Sequence, residues 1–177
     1  LSLRLAMIAP RLKAATIGWQ HNCYDGYLHV KPVVFWQQEN LLQQYLPNLD
    51  RYIVLSDYDK RDYMEKLGID CEVKINPRSF VSEKKCDVKS KRFLMATRFV
   101  YAKGLDLMME SFEEFCKEDS EWELDIIGDG DLFDQIRADA KKRHLEKRVH
   151  FVGYTNEPEK YYLNSSVFLL PSRWEGW

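Results

Sequence analysis

The sequence predicts an α/β fold in which parallel strands alternate with helices. Two observations lead to this prediction: short apolar runs rich in β-branched and aromatic residues alternate with segments of helical periodicity, and the order is strand, helix, strand, helix. Units of this kind pack as right-handed crossovers on a parallel sheet. Seven runs are predicted to be strands buried on both faces of a sheet: residues 16–19, 52–55, 73–75, 93–96, 124–127, 149–152 and 167–170.

Apolar residues at helical spacing predict the helices between these runs. The clearest stripe consists of Leu105, Met108, Met109, Phe112, Phe115 and Cys116, and a weaker one of Leu132, Phe133, Ile136 and Ala140. Ser56 is predicted to cap the start of a helix that ends at Gly68. Asn156 and Pro158 predict the start of another short helix.

The alternation breaks once, between Asn76 and Arg92, where turn residues lead into a lysine-rich stretch with little to bury. We predict a domain boundary there. Residues 1–80, with three strands and two helices, are interpreted as the C-terminal part of one Rossmann-like domain plus a connection, and residues 81–177 as a truncated second domain. Because neither half makes a complete Rossmann domain, we expect a piece of a larger protein.

Composition excludes several classes of protein. Of 177 residues, 45% are hydrophobic and 31% charged, which excludes disorder. The 26 basic and 28 acidic residues argue against nucleic acid as the main partner, since that affinity needs clustered positive charge. No apolar run approaches the ~20 residues that span a membrane, and no signal peptide is evident. The four cysteines lack CxxC spacing, so we expect no metal site and reduced thiols in a cytoplasmic protein.

Two cations follow one predicted strand directly. Arg98 and Lys103 lie between the strand at 93–96 and the helix that begins near Leu105. Ligands of open parallel sheets bind beyond the carboxyl ends of the strands, and a helix N-terminus there favours an anion. The pattern therefore indicates a diphosphate site, although solvated loop charges fit it as well.

Four other segments carry candidate chemistry. Asp129 and Asp131 could hold Mg²⁺ or Mn²⁺, or Asp131 could cap the next helix. Glu175, between Trp174 and Trp177, could accept hydrogen bonds from a sugar or belong to an exposed loop. His21 could contact a ligand or be structural. The basic residues from Lys141 to Arg148 are most simply a solvated helix face, with a membrane surface as the minority interpretation.

Together these segments resemble the retaining glycosyltransferases of the GT-B fold, family 4. The resemblance runs from about Ala15 to Trp177 and rests on four motifs in order: Arg98 with Lys103-Gly104, Trp122-x-Leu-x-Ile-x-Gly128-x-Gly130, Val149-x-Phe151-x-Gly153, and Pro171-Ser172-x-x-Glu175-Gly176. The segment Trp19-Gln20-His21-Asn22 is similar to capsule and cell-wall polysaccharide enzymes. The implied fold is α/β with two Rossmann-like parallel sheets of the GT-B type, both incomplete here.

The resemblance implies a role for each matching residue. Arg98 and Lys103 would clamp the donor diphosphate, Glu175 would contact the donor sugar, and His21 would face that sugar. The nucleotide side of the cleft would be lined by Gly104, Gly128, Gly130, Phe151, Gly153 and Ser172. The family's second Glu, eight residues past Glu175, is absent from this chain. We therefore expect these 177 residues alone to be inactive.

The implied activity is transfer of a hexosyl group from a nucleotide-diphosphate sugar, UDP- or GDP-linked, to a glycan or lipid-linked acceptor. Retention and the absence of a metal or other cofactor are expected, with peripheral association at the inner face of the plasma membrane. Three alternatives stay open: a nucleotide-sugar epimerase, a non-catalytic binding module, and a metal-dependent transferase that uses Asp129 and Asp131.

Overall fold

The computed structural model describes residues 2–30, 38–78 and 81–176, and confirms the α/β fold with parallel sheets. Within these ranges the strands are β1 Ile17–Trp19, β2 Arg51–Val54, β3 Glu72–Val73, β4 Arg92–Ala96, β5 Glu123–Ile127, β6 Val149–Gly153 and β7 Val167–Phe168. The helices are α1 Ser2–Ile8, α2 Tyr24–Leu28, α3 Glu39–Tyr45, α4 Asp57–Leu67, α5 Leu105–Glu118, α6 Phe133–Lys142 and α7 Pro158–Leu163. Short 3-10 turns span Ala9–Arg11, Leu46–Asn48 and Tyr101–Lys103.

The chain divides into two compact units. The first unit comprises the described residues up to 78 together with residues 174–176, and the second unit comprises residues 81–173. The sequence-based boundary at 80/81 adjoins residues 79 and 80, which lie outside the described residues. Residues 174–176, which the sequence analysis assigned to the second domain, pack with the first unit because Glu175 and Gly176 contact the turn at His21.

The first unit has a three-stranded sheet in the order β1-β2-β3. Its core includes Tyr24, Leu28, Leu42, Tyr52 and Tyr63. Helix α4 begins and ends where the sequence predicts: the Ser56 hydroxyl accepts the Asp59 N–H at 3.1 Å, and Gly68 closes the helix at φ 69°.

The second unit has a four-stranded sheet in the order β6-β5-β4-β7. The predicted stripe of α5 is buried at Leu105, Met108, Met109 and Phe112 and packs on the sheet residues Met95, Leu124 and Ile126. Because β4 and β5 pair along five residues, their carboxyl ends lie side by side, and the loops that follow them meet.

Three expectations are wrong. Burial on both faces fails for β1 and β7, which lie at sheet edges; Phe168 in β7 is 43% exposed. Among the described residues before the boundary there are four helices instead of two, because α1, α2 and α3, of five to seven residues, are too short to show a helical period. Asp131 does not cap α6: Leu132 occupies the cap position, and no side chain accepts a bond there.

Candidate functional site

The loop after β4 presents Arg98 to solvent. Arg98 is exposed, and its guanidinium has no hydrogen bond or ion pair with any of the described residues. The next residue, Phe99, is fully buried, with its ring 5.0 Å from that of Phe133. The buried ring anchors the loop, so Arg98 is left available for a ligand.

Backbone hydrogen bonds join this loop to the loop after β5. The Thr97 N–H donates to Ile127 O and the Phe99 N–H to Asp129 O, both at 2.9 Å. So close an approach requires glycine: Gly128 has φ 127°, and a Cβ there would lie 1.8 Å from Thr97 O. At Gly130, with φ 151°, a Cβ would lie 2.8 Å from Phe99 N. The two glycines therefore fix the position of the Arg98 loop.

An open pocket of about 490 Å³ lies at the carboxyl ends of β4, β5 and β6. It is lined by Ala96, Thr97, Arg98, Ile127, Gly128, Asp129, Tyr154 and Thr155. This is the position where open parallel sheets bind ligands. The pocket thus joins the Arg98 motif with the glycine motif.

The third motif contributes through Tyr154 rather than Phe151. The Phe151 ring lies 5.9 Å from Phe133 and packs against the core. Gly153, at φ 79°, accepts the Gly128 N–H through its carbonyl at 2.8 Å. Tyr154, which is 78% exposed, lines the pocket. An aromatic face is therefore available for stacking.

Lys103 ends a 3-10 turn directly before α5. Gly104 follows at φ 63°, and a Cβ there would lie 2.1 Å from Pro171 O, so the turn fits closely against the segment that contains Ser172. Lys103 and Ser172 are half-buried. A cation beside the N-terminus of a 14-residue helix is suited to bind an anion.

The structure brings His21 and Glu175 together in the first unit. The Cys23 N–H donates to Glu175 O at 3.2 Å, and a Cβ on Gly176 would lie 1.9 Å from His21 O. The His21 ring stacks on Trp19 with 5.4 Å between centroids. Trp177, the second tryptophan of the predicted sugar site, lies outside the described residues.

A buried side chain that sequence analysis missed holds the His21 turn. The Gln20 Oε1 accepts the N–H groups of His21 at 3.0 Å and Asn22 at 3.4 Å, and Gln20 is only 8% exposed. Its amide Nε2 lies 3.5 Å from the hydroxyl of Tyr63. The only sequence signal was a polar residue directly after a strand.

The remaining candidates have local partners. Asp129 Oδ1 accepts the Gly130 N–H at 2.7 Å, and no three His, Cys, Asp or Glu side chains within the described ranges are grouped to hold a metal ion. In the basic segment, Arg143 pairs with Asp139 at 2.9 Å and Arg148 donates to Trp122 O at 2.7 Å. Two of these cations therefore hold the second unit together. No described helix is long and apolar enough to cross a membrane.

Two units with parallel sheets, one of which has a cationic, glycine-lined pocket at its strand ends, define an α/β protein of the GT-B fold. Residues 79–177, more than half of the chain, match the model of the family "Glycosyl transferases group 1". The chain belongs to this family.

Similar proteins agree with this assignment. An uncharacterized glycosyltransferase of Haemophilus influenzae is 28% identical over 129 residues, which cover 72% of this chain and 36% of that protein. The amylovoran biosynthesis glycosyltransferase AmsD of Erwinia amylovora is 31% identical over 88 residues, 50% of this chain and 24% of that protein. The crystal structure of an S. aureus TarM mutant with fondaparinux, alpha-GlcNAc-glycerol and UDP has a TM-score of 0.80 at 22% identity; the match covers 92% of this chain and 33% of TarM. The chain therefore spans about a third or less of these proteins.

Proposed function

We propose that this chain forms the donor-binding part of a family-4 glycosyltransferase that moves a hexosyl group from a UDP- or GDP-sugar to a glycan or lipid-linked acceptor. One observation carries the proposal: an exposed arginine without a partner among the described residues lines a pocket at the carboxyl ends of three parallel strands. An arginine fork recognises phosphate by two parallel hydrogen bonds.

Arg98 and Lys103 would bind the donor diphosphate and stabilise the negative charge that grows on it as the sugar departs. Two cations and the N-terminus of α5 can supply this stabilisation, so we propose a transferase that needs no metal. For the complete enzyme that contains this chain, full activity in the presence of EDTA is the expected result. Activity lost in EDTA and restored by Mn²⁺ would instead favour a role for Asp129 and Asp131.

The remaining site residues would bind the other parts of the donor. Tyr154 offers a face for the nucleobase, and Gly128 lines the same pocket. Gly128 and Gly130 together fix the Arg98 loop against which the donor would bind. In the first unit, Glu175 and His21 would contact the donor sugar. We propose retention by front-face displacement, which NMR of the product anomer tests; an inverted product would overturn it.

The acceptor class is supported by the relatives. AmsD is named for amylovoran biosynthesis, and the TarM structure contains UDP and alpha-GlcNAc-glycerol. We propose a cell-surface polysaccharide as the product, in a capsule or a related polymer. The enzyme would act in the cytoplasm at the inner face of the plasma membrane.

Isothermal titration calorimetry of the 177-residue chain with UDP and with GDP tests the donor site. We expect binding of one of them, and a loss of about 10–100-fold in affinity for Arg98→Ala and for Lys103→Ala, since one charge-assisted contact contributes about 1.5–3 kcal/mol. Arg137→Ala is the matched control, because Arg137 is an exposed arginine of the second unit on α6. Unchanged affinity in both site variants would overturn the assignment.

A further inference from the structure

Arg173 makes a cluster of contacts that the proposed donor site does not use directly. Its guanidinium binds Asp106 with both nitrogens, Nη1 to Oδ1 at 2.8 Å and Nη2 to Oδ2 at 2.6 Å. Nη1 also donates to Tyr101 O at 3.0 Å, and Cζ lies 4.0 Å from the centre of the Tyr101 ring. The Arg173 N–H donates to Ala102 O at 2.7 Å. All of these partners lie on or beside the 3-10 turn that ends at Lys103.

We infer that Arg173 is the positioning residue of the proposed diphosphate site: it fastens the turn Tyr101–Lys103 and so sets where the Lys103 ammonium can reach. The inference rests on the proposed function of Lys103. Arg173 is not a catalytic residue in this account, because its guanidinium is committed to Asp106 and Tyr101.

The turn Tyr101–Lys103 depends on its contacts with Arg173 because its own hydrogen bonds and residues hold it only weakly. It is a three-residue 3-10 segment, a type of structure with poor hydrogen-bond geometry. It is followed by Gly104, and glycine is the residue type with the greatest conformational freedom. The packing of Gly104 against Pro171 O holds one side of the turn, and Arg173 holds the other.

Arg173 also neutralises an unfavourable charge. Asp106 lies in the first turn of α5, at the helix end where the proposed site would receive phosphates. The hydrogen bonds from Arg173 lower the pKa of Asp106, so this carboxylate is ionised and paired. Without Arg173, Asp106 would be an anion without an ion pair at this end of α5, and it would repel the diphosphate.

The test compares the affinities of UDP and UMP, measured by calorimetry on the 177-residue chain; GDP and GMP replace them if the guanine nucleotide is the one that binds. We expect Arg173→Ala to weaken UDP binding by about tenfold or more, the scale of one charge-assisted contact. UMP binding should change less, because UMP offers Lys103 only one phosphate instead of two. Arg173→Lys keeps the charge but loses the planar guanidinium. Its affinity for UDP should therefore lie between the affinities of Arg173→Ala and the unsubstituted chain. Circular dichroism and Tm establish that each variant is folded.

The outcomes separate this inference from the proposed function. A UDP/UMP affinity ratio that stays at the wild-type value in Arg173→Ala and in Arg173→Lys would overturn the inference, even if both affinities fell together. If Arg173→Ala does not fold, the ratio in Arg173→Lys decides alone. If the wild-type chain binds no nucleotide, or Arg98→Ala binds like the wild type, it is the proposed function that fails.

Discussion

The loop that carries Arg98 and the turn that carries His21 are held in place by different means. In the second unit, backbone groups bond to backbone groups, and the close approach is possible because Gly128 and Gly130 lack a Cβ. In the first unit, the buried side chain of Gln20 accepts hydrogen bonds from the backbone N–H groups of His21 and Asn22. The first arrangement requires specific glycines, whereas the second requires a polar side chain with satisfied partners.

This difference explains why the family motifs are denser in the second region than in the first. A glycine that must adopt positive φ beside a carbonyl has no substitute, so it marks the sequence at a fixed place. A buried amide can be supported in many ways from distant positions; Gln20 is supported by Tyr63, 43 residues away. Family motifs are accordingly densest in residues 98–176.

The largest expected effect tests the glycine requirement. Gly128→Ala should lower the free energy of unfolding by about 3–4 kcal/mol, because it combines a strained backbone conformation with contact to Thr97 O, a backbone atom that cannot rotate away. Urea unfolding followed by circular dichroism measures it. Gly153→Ala is the control: its φ is also positive, at 79°, but nothing lies within 4 Å of the added Cβ. We expect Gly153→Ala to lower the free energy of unfolding by about 1–2 kcal/mol. Equal losses in Gly128→Ala and Gly153→Ala would contradict the conclusion that the backbone approaches Gly128 too closely for a Cβ.

A smaller effect is expected for the amide that holds the His21 turn. Gln20→Ala should cost about 1–3 kcal/mol, because it leaves the N–H groups of His21 and Asn22 without their acceptor. Gln44→Ala, at an exposed position on α3, is the matched control and should stay within about 0.5 kcal/mol of the wild type. If both variants unfold at the same urea concentration, Gln20 does not hold the turn.

The contrast between local patterns and contacts with distant residues also determines which features the sequence could predict. The strands were predictable from their short apolar runs, and α5 was predictable because burial of one face places apolar residues at helical spacing. Phe99 was missed, because one residue inside a loop has no periodic neighbours that reveal which side it faces. Arg173 was missed because its partner, Asp106, is 67 residues away. Exposure of β7 also escaped prediction, since position at a sheet edge depends on strand order.

The smallest expected effect is a pH dependence in the first unit. His29 Nδ1 lies 2.9 Å from Asp25 Oδ1 and Nε2 lies 2.8 Å from Glu39 Oε1, so both ring nitrogens can donate only when the ring is protonated. Burial opposes the charged form, but the hydrogen bonds to Asp25 and Glu39 outweigh it and raise the His29 pKa above 6.5. Lys66, 3.5 Å from Asp25, also faces this group.

Because the folded pKa of His29 is raised, its stabilisation is complete below the unfolded value and is lost as pH rises through the folded one. His29 and Asp25 are half-exposed, so we expect their contact to contribute only about 0.5 kcal/mol to the free energy of unfolding. Urea unfolding at pH values from below 6.5 to above the folded pKa of His29 should show that the free energy of unfolding declines with pH in the wild type. His29→Gln should give a flatter pH profile. His144→Asn is the control, since Asn tolerates the left-handed backbone at φ 57°. A decline of equal size in His29→Gln would mean that the side-chain contacts of His29 do not stabilise the first unit.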